Sequence, residues 1–137
     1  MDINPSGRGH RILFIDDNPV DRAYVEKILT KNGFVVILAE DGEKGIELTR
    51  KEIPDLILLD ILLPHVSGIE ICKKIKEDKS IKHIPIIFFS NIDAPKSFFN
   101  IQSYGAVDFI SKSVAPADLV MKIKMAVNLN PNSHHES

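Results

Sequence analysis

Leu56-Ile57-Leu58-Leu59-Asp60 is the run from which the architecture of this chain can be worked out. Four consecutive apolar residues after a proline and an aspartate are typical of a short strand buried on both faces of a parallel sheet. Asp60 follows directly, where the strand should leave the sheet. An ionised carboxylate beside such an apolar run is costly unless a cation or hydrogen-bond donors meet it. Because ligands bind at the carboxyl ends of strands in open α/β sheets, Asp60 is the first candidate for chemistry.

Apolar segments and helical patterns alternate on both sides of this strand. The pattern predicts strands at residues 11–15, 34–39, 56–59, 86–89 and 107–110. Helical patterns follow them at about 19–32, 42–53, 69–75, 94–103 and 116–127. This alternation predicts an α/β protein with a doubly wound, five-stranded parallel sheet covered by helices on both faces. At this size we expect the strand order 2-1-3-4-5 of the flavodoxin-like three-layer sandwich.

Composition narrows the class of protein. The 137 residues are 44% hydrophobic and 26% charged, which fits one ordinary globular domain. The net charge of -2 and the lack of a basic stripe argue against a nucleic-acid-binding protein, and no apolar run approaches the ~20 residues of a membrane span. Without a signal-peptide pattern, the cytoplasm is the expected location. We expect a loose arm at residues 1–10, one domain at 11–128 and a tail at 129–137.

Polar residues follow four of the predicted strands. In the proposed order the ends of these strands are neighbours, and their first polar residues are Asp16, Asp17, Asp60, Ser90 and Lys112. Two carboxylates ~4 Å apart repel by about 4 kcal/mol at an effective dielectric constant of ~20. The ammonium of Lys112 can offset only part of this repulsion. Oxygen ligands without histidine or thiolate favour Mg²⁺ over Zn²⁺, and the set resembles phosphoryl-transfer centres.

Each of these residues also has a simpler interpretation. Asp16 and Asp17 could cap the first helix, although Asn18 already suits the cap and Asp21 supplies the acidic residue of its first turn. Asp60 alone could be a loop aspartate, Ser90 alone could be an ordinary strand-end hydroxyl, and Lys112 alone could be a solvated lysine. Coincidence is improbable when these residues follow four separate strands of one sheet.

With these residues in place, the chain resembles response-regulator receiver domains, and in size the stand-alone chemotaxis regulators. The resemblance covers about residues 11–128. The segments that carry it are Ile15-Asp16-Asp17-Asn18-Pro19, Pro54-Asp55-Leu56-Ile57-Leu58-Leu59-Asp60 with Pro64 and Gly68, Ser90, and Gly105-Ala106-Val107-Asp108-Phe109-Ile110-Ser111-Lys112. Each motif alone is weak, but their order and spacing together are specific.

The resemblance implies a role for each acidic residue. Asp60 would accept a phosphoryl group from a sensor histidine kinase, a histidine phosphotransfer protein or a small phosphoryl donor. Asp17 and Asp60 would ligate Mg²⁺ directly and Asp16 through water, while the backbone carbonyl of Leu62 would complete the protein ligands. The domain would assist its own phosphorylation and dephosphorylation without acting as an enzyme on an external substrate.

The resemblance also implies a switch. Ser90 and Lys112 would bind phosphoryl oxygens, and Phe109 would turn inward when Ser90 moves toward the phosphate. The phosphoryl group would thereby shift the population between two arrangements. A downstream protein would bind the face formed by the fourth helix, the fifth strand and the fifth helix.

The sequence departs from the family pattern at two positions. Lys112 is followed by Ser113, where the family usually has a proline with a cis peptide bond; a cis bond without proline costs ~3 kcal/mol. We expect either strain there, or a trans bond that aims Lys112 differently. Asn91 replaces a small residue after Ser90 and could narrow access to the phosphate. Leu62 and Ile92 would flank the phosphate without orienting an attacking water, which predicts slow self-dephosphorylation.

Two other functions remain open at this point. The first is a protein-binding module that uses the fold but is never phosphorylated, and the Lys112-Ser113 departure favours it. The second is a phosphohydrolase with an aspartyl nucleophile. That class usually has Asp-x-Asp after the first strand, whereas this chain has the adjacent pair Asp16-Asp17.

Overall fold

The computed structural model describes residues 9–92 and 101–129. The strands are β1 (Arg11–Ile15), β2 (Val35–Ala39), β3 (Leu56–Leu59), β4 (Ile86–Ser90) and β5 (Asp108–Ser111). The helices are α1 (Pro19–Lys31), α2 (Gly42–Glu52), α3 (Gly68–Lys76) and α4 (Pro116–Leu129), and Ile101–Tyr104 form a short 3-10 helix. Most of the helix predicted at about 94–103 lies outside the described residues, as do most of the predicted arm and tail.

The five strands form one parallel sheet in the order β2-β1-β3-β4-β5, which confirms the predicted fold and strand order. β3 lies at the centre, and all four of its residues are buried. β5 lies one residue later than the pattern predicts, because Asp108 is the residue that pairs in register with Ile87 of β4. Among the described helices, none is long and apolar enough to cross a bilayer.

Successive side chains of β3 point to opposite faces of the sheet, which explains the two hydrophobic cores of the molecule. Leu56 and Leu58 point to one face of the sheet, where they join the side chains of α1 and α4. Ile57 and Leu59 point to the other face, where they join those of α2 and α3. Both faces of β3 are therefore covered. Asp60 directly follows this strand and stands at the edge of the sheet.

The start of α1 is fixed by its cap. The side-chain oxygen of Asn18 accepts hydrogen bonds from the N–H groups of Val20 (2.8 Å) and Asp21 (3.2 Å), and Pro19 occupies the first helical position. Only three residues separate the end of β1 from the start of the helix, so the first turn of α1 stands at the carboxyl edge of the sheet.

Candidate functional site

Three carboxylates meet at the carboxyl edge of the sheet. Asp16 follows β1 and Asp60 follows β3; their N–H groups donate to the carbonyls of Ala39 and Ile15, each at 3.0 Å. Oxygen atoms of Asp16, Asp17 and Asp60 all lie within 4.8 Å of one another. Asp16 and Asp60 are buried, while Asp17 is exposed. We call Asp16, Asp17 and Asp60 the acidic cluster.

The Lys112 ammonium lies against this cluster. Its Nζ atom is 2.6 Å from Oδ2 of Asp16 and 3.0 Å from Oδ2 of Asp60, and the side chain is almost fully buried. The N–H of Lys112 donates to the carbonyl of Ser90 at 3.0 Å, which fixes the backbone beside the end of β4. The structure thus brings four of the predicted site residues together.

The peptide bond after Lys112 is trans, since the described residues contain no cis peptide bond. This bond does not turn Lys112 away from the carboxylates. The turn is closed locally instead: the N–H of Ser113 donates to the hydroxyl of Ser111 at 3.1 Å, and the N–H of Val114 donates to the carbonyl of Ser111 at 3.0 Å. Lys112 therefore reaches the acidic cluster without the proline that the family usually has.

Burial and charge act in opposite directions on the two innermost groups. Burial raises the pKa of Asp16, and the neighbouring Asp60 adds to this, whereas Lys112 and the Asn18 N–H oppose it. Burial alone would lower the pKa of Lys112, but its contacts with carboxylates outweigh burial and raise that pKa. The lysine is consequently an ammonium at any physiological pH.

One buried atom indicates that the acidic cluster can hold a cation. Oδ2 of Asp16 is buried, and no donor among the described residues meets it in hydrogen-bonding geometry, although the Lys112 ammonium lies 2.6 Å away. A buried carboxylate oxygen without a well-directed partner is costly. Carboxylate oxygens of this kind are the ligands of hard divalent cations such as Mg²⁺, so the residues present fit that ion.

The other predicted site residues lie around the cluster. Ser90 is buried at the end of β4, and its hydroxyl accepts a hydrogen bond from the N–H of Ile92 at 3.4 Å. The N–H of Leu62 donates to Oδ1 of Asp60 at 3.2 Å, while the Leu62 side chain is 58% exposed. Phe109 is half-buried in β5, where it pairs in register with Phe88.

Sequence reasoning missed one residue that contacts the site. Oδ2 of Asp21 lies 2.7 Å from the Nζ atom of Lys112, so a fourth carboxylate approaches the ammonium. The sequence assigns Asp21 only to the first turn of α1. A signal was present, because a cap at Asn18 places that turn at the same sheet edge as Asp16.

Comparison of the sequence with known protein families identifies the family of this chain. Residues 12–124 match the family model described as the response regulator receiver domain. Response regulator PleD of Caulobacter vibrioides is 30% identical over 114 residues, covering 83% of this chain and 25% of that protein. The present chain therefore spans about a quarter of the length of PleD.

A shorter relative and a solved structure cover more of their own length. The two-component response regulator ORR11 of Oryza sativa is 34% identical over 115 residues, covering 82% of this chain and 78% of that protein. The crystal structure of a CheY-like response regulator receiver domain protein from Methanospirillum hungatei superposes with a TM-score of 0.80 at 28% identity. That comparison covers 88% of this chain and 94% of the other.

Proposed function

Because this chain belongs to the response regulator receiver domains of two-component signalling, we propose that Asp60 is its phosphoacceptor. The phosphoryl group would come from the phosphohistidine of a sensor histidine kinase or a histidine phosphotransfer protein. The observation that carries the proposal is the Lys112 ammonium 3.0 Å from Oδ2 of Asp60, beside the acidic cluster. A nucleophilic carboxylate and a cation for the phosphoryl oxygens are thereby adjacent.

The transfer requires one bond to form and one to break. A carboxylate oxygen of Asp60 forms a bond to phosphorus while the bond from phosphorus to the donor imidazole nitrogen breaks, and the imidazole takes up a proton from solvent. Lys112 pairs with one phosphoryl oxygen and the Ser90 hydroxyl donates a hydrogen bond to another. Both are charge-assisted hydrogen bonds, which are stronger than those between neutral groups, because the phosphoryl oxygens are ionised and the Lys112 donor is ionised as well.

A divalent cation belongs to this proposal. Asp16, Asp17, Asp60 and the backbone carbonyl of Leu62 would hold Mg²⁺, with Asp16 acting through a water molecule. When bound, Mg²⁺ supplies positive charge that offsets the negative charge on the transferring phosphoryl oxygens. The excess of carboxylates over ammonium groups at this edge supports the assignment.

The switch would connect Asp60 to a protein-binding surface. Ser90 ends β4, and Phe109 lies in the neighbouring strand β5, two residues before Ser111, the residue that pairs with Ser90. Movement of Ser90 toward the phosphate would open space that Phe109 can enter. Met121 and Met125 of α4 are each 56% exposed, which supports a downstream protein partner on the face formed by the helix predicted at about 94–103, β5 and α4. We place this switch in the cytoplasm, acting on partners rather than as an enzyme on an external substrate.

Intact-protein mass spectrometry tests the proposal. The protein is incubated with Mg²⁺ and acetyl phosphate or phosphoramidate, beside Asp60→Asn and Asp55→Asn. Asp55 is the matched control because it is a buried carboxylate at the opposite end of β3. The expected result is the gain of one phosphoryl group by the wild type and by Asp55→Asn, and none by Asp60→Asn.

The other outcomes point to the alternatives. No gain by the wild type would favour the unphosphorylated binding module. Continuous phosphate release without an accumulated adduct would favour the phosphohydrolase. A gain that persists in Asp60→Asn would show that another residue is modified.

A further inference from the structure

We propose that Asp21 is a positioning residue that holds the Lys112 ammonium for phosphoryl transfer; the inference rests on the proposed function of Asp60. Nζ of Lys112 lies 2.7 Å from Oδ2 of Asp21, and the two residues are 91 positions apart in the chain. No motif discussed above includes Asp21, and it is not a member of the acidic cluster.

Carboxylates surround the Lys112 ammonium. Oxygen atoms of Asp16, Asp21 and Asp60 lie 2.6, 2.7 and 3.0 Å from Nζ, and the ammonium donates hydrogen bonds to those of Asp21 and Asp60. Asp16 and Asp60 belong to the acidic cluster, whose oxygens are also candidates for binding a cation. Asp21 is the partner that can stay with Lys112 whether or not those oxygens bind a cation or a phosphoryl group.

Asp21 is held by a rigid element. It lies in the first turn of α1, where its N–H donates to the cap oxygen of Asn18 at 3.2 Å. The neighbouring Arg22 guanidinium donates from Nη1 to the backbone carbonyl of Asp16 at 2.8 Å, which ties this turn of the helix to the end of β1. The carboxylate of Asp21 therefore has a fixed position relative to the acidic cluster.

Lys112 needs such a partner because only its backbone is fixed by the sheet. A lysine side chain has four rotatable bonds and loses much rotamer freedom when its ammonium is held in one place. Asp21 approaches from the rim, with 29% of its side chain exposed, while the Lys112 side chain is 9% exposed. The ion pair thus holds the ammonium at the mouth of the site, where a phosphoryl donor must arrive.

Positioning and simple electrostatics predict opposite results for Asp21→Asn. The substitution removes a negative charge near the site, and an anionic phosphoryl donor should then approach more easily, which would raise the rate. If Asp21 positions Lys112, the same substitution lowers the rate, because the ammonium is no longer held toward the phosphoryl oxygens. The direction of the change in phosphorylation rate therefore distinguishes positioning of Lys112 from a simple electrostatic effect.

The experiment measures the rate of phosphorylation by phosphoramidate, with Mg²⁺ raised for each variant until the rate no longer increases. Asp21→Asn is expected to react at least about five-fold more slowly than the wild type, a loss within the range of coupled neighbours. Asp21→Glu restores the charge and should recover part of the rate. Glu26→Gln removes the same charge from an exposed site on α1 and should react within about two-fold of the wild type.

A second background shows whether Asp21 acts through Lys112. In Lys112→Met, adding Asp21→Asn should cause no further loss, since no ammonium is left to position. Circular dichroism and urea unfolding of each variant in EDTA confirm that the compared proteins are folded. A loss of rate for Asp21→Asn in both backgrounds would overturn the inference.

The outcomes separate this inference from the proposed function. If the wild type is phosphorylated and Asp21→Asn reacts equally fast or faster, only the role of Asp21 is overturned. A wild type that gains no phosphoryl group overturns the function of Asp60 and, with it, the role of Asp21.

Discussion

Gly68 lies against the backbone of Asp60: a Cβ atom on Gly68 would overlap the carbonyl oxygen of Asp60 and lie 2.8 Å from Cα of Ile61. The N–H of Gly68 donates to the carbonyl of Ile61 at 2.8 Å, so the first residue of α3 is joined directly to the strand end that carries Asp60. Only a residue without a side chain permits this approach. Gly68 therefore sets where the carboxylate of Asp60 stands.

This contact predicts a large effect of Gly68→Ala. The methyl group meets backbone atoms, which cannot move without shifting Asp60, so the free energy of unfolding should fall by about 3 kcal/mol. Gly42→Ala is the matched control, since Gly42 also opens a helix but its Cβ would meet the end of the Ile71 side chain, with Cδ1 at 2.5 Å. The control should lose about 1 kcal/mol or less.

Urea unfolding and the phosphorylation rate check this prediction. Gly68→Ala should also be phosphorylated more slowly than Gly42→Ala, because only the former displaces Asp60. Equal losses of stability and rate in the two variants would show that the approach of Gly68 to Asp60 has no special importance.

A second prediction concerns Mg²⁺ and stability. An ion that binds only the folded protein stabilises it by about 2.7 kcal/mol at a concentration of 100 times its dissociation constant. Asp17 is exposed, so Asp17→Asn should leave the metal-free stability within about 0.5 kcal/mol of the wild type while removing most of the stabilisation by Mg²⁺. Thermal unfolding with and without MgCl₂ measures both, and Glu26→Gln should retain the full stabilisation. A wild type whose unfolding temperature does not change with Mg²⁺ would contradict the cation site.

The lifetime of the phosphorylated state should depend on Leu62. The Leu62 side chain is 58% exposed beside Asp60 and has no polar group to orient an attacking water. The wild type should therefore dephosphorylate slowly. In Leu62→Gln, one added hydrogen bond of about 1 kcal/mol to that water should accelerate the loss of phosphate by about five-fold.

Val107→Gln provides the control for this measurement. Val107 is an apolar residue that is 52% exposed, and it precedes β5 at the opposite edge of the sheet. Phosphate loss is followed by intact mass after removal of the donor. A wild-type half-life of seconds with Mg²⁺ present, or equal rates for both variants, would refute the role of Leu62.

Alkaline pH should lower the free energy of unfolding because the buried Cys72 thiol ionises. Burial raises the pKa of its thiol from 9.0 to about 11, and the thiol donates to the carbonyl of Tyr104 at 3.1 Å. The folded protein holds this proton more tightly than the unfolded chain does. The stabilisation contributed by the protonated Cys72 thiol is therefore complete below pH ~9 and is lost as the pH rises through ~11.

Comparison with Cys72→Ala isolates this contribution. The stability of the wild type relative to the variant should fall by on the order of 2 kcal/mol between pH 8 and pH 11. Urea unfolding at several pH values measures the difference. Parallel pH dependences for the two proteins would show that the thiol does not titrate differently in the folded state.

Local patterns were enough to predict the strands, whereas the strand order was expected from the arrangement that is common at this chain length. β3 consists of four apolar residues because both of its faces are covered, and this property is visible in the sequence. The boundaries were less well predicted: β5 begins at Asp108, which pairs in register with Ile87, although the N–H of Val107 already donates to the carbonyl of Ile86 at 2.9 Å. The geometry of the Lys112-Ser113 turn also depended on contacts that no pattern encodes.

The sequence by itself determined that Asp16, Asp17, Asp60 and Lys112 follow strands whose ends share one edge. It could do so because the apolar runs and turn residues that define a strand extend over only a few neighbouring positions. Only the tertiary structure placed Asp21 on the Lys112 ammonium and Gly68 on the backbone of Asp60. Both contacts depend on where a helix starts relative to the sheet. That placement results from packing across the whole domain, and neighbouring residues do not specify it.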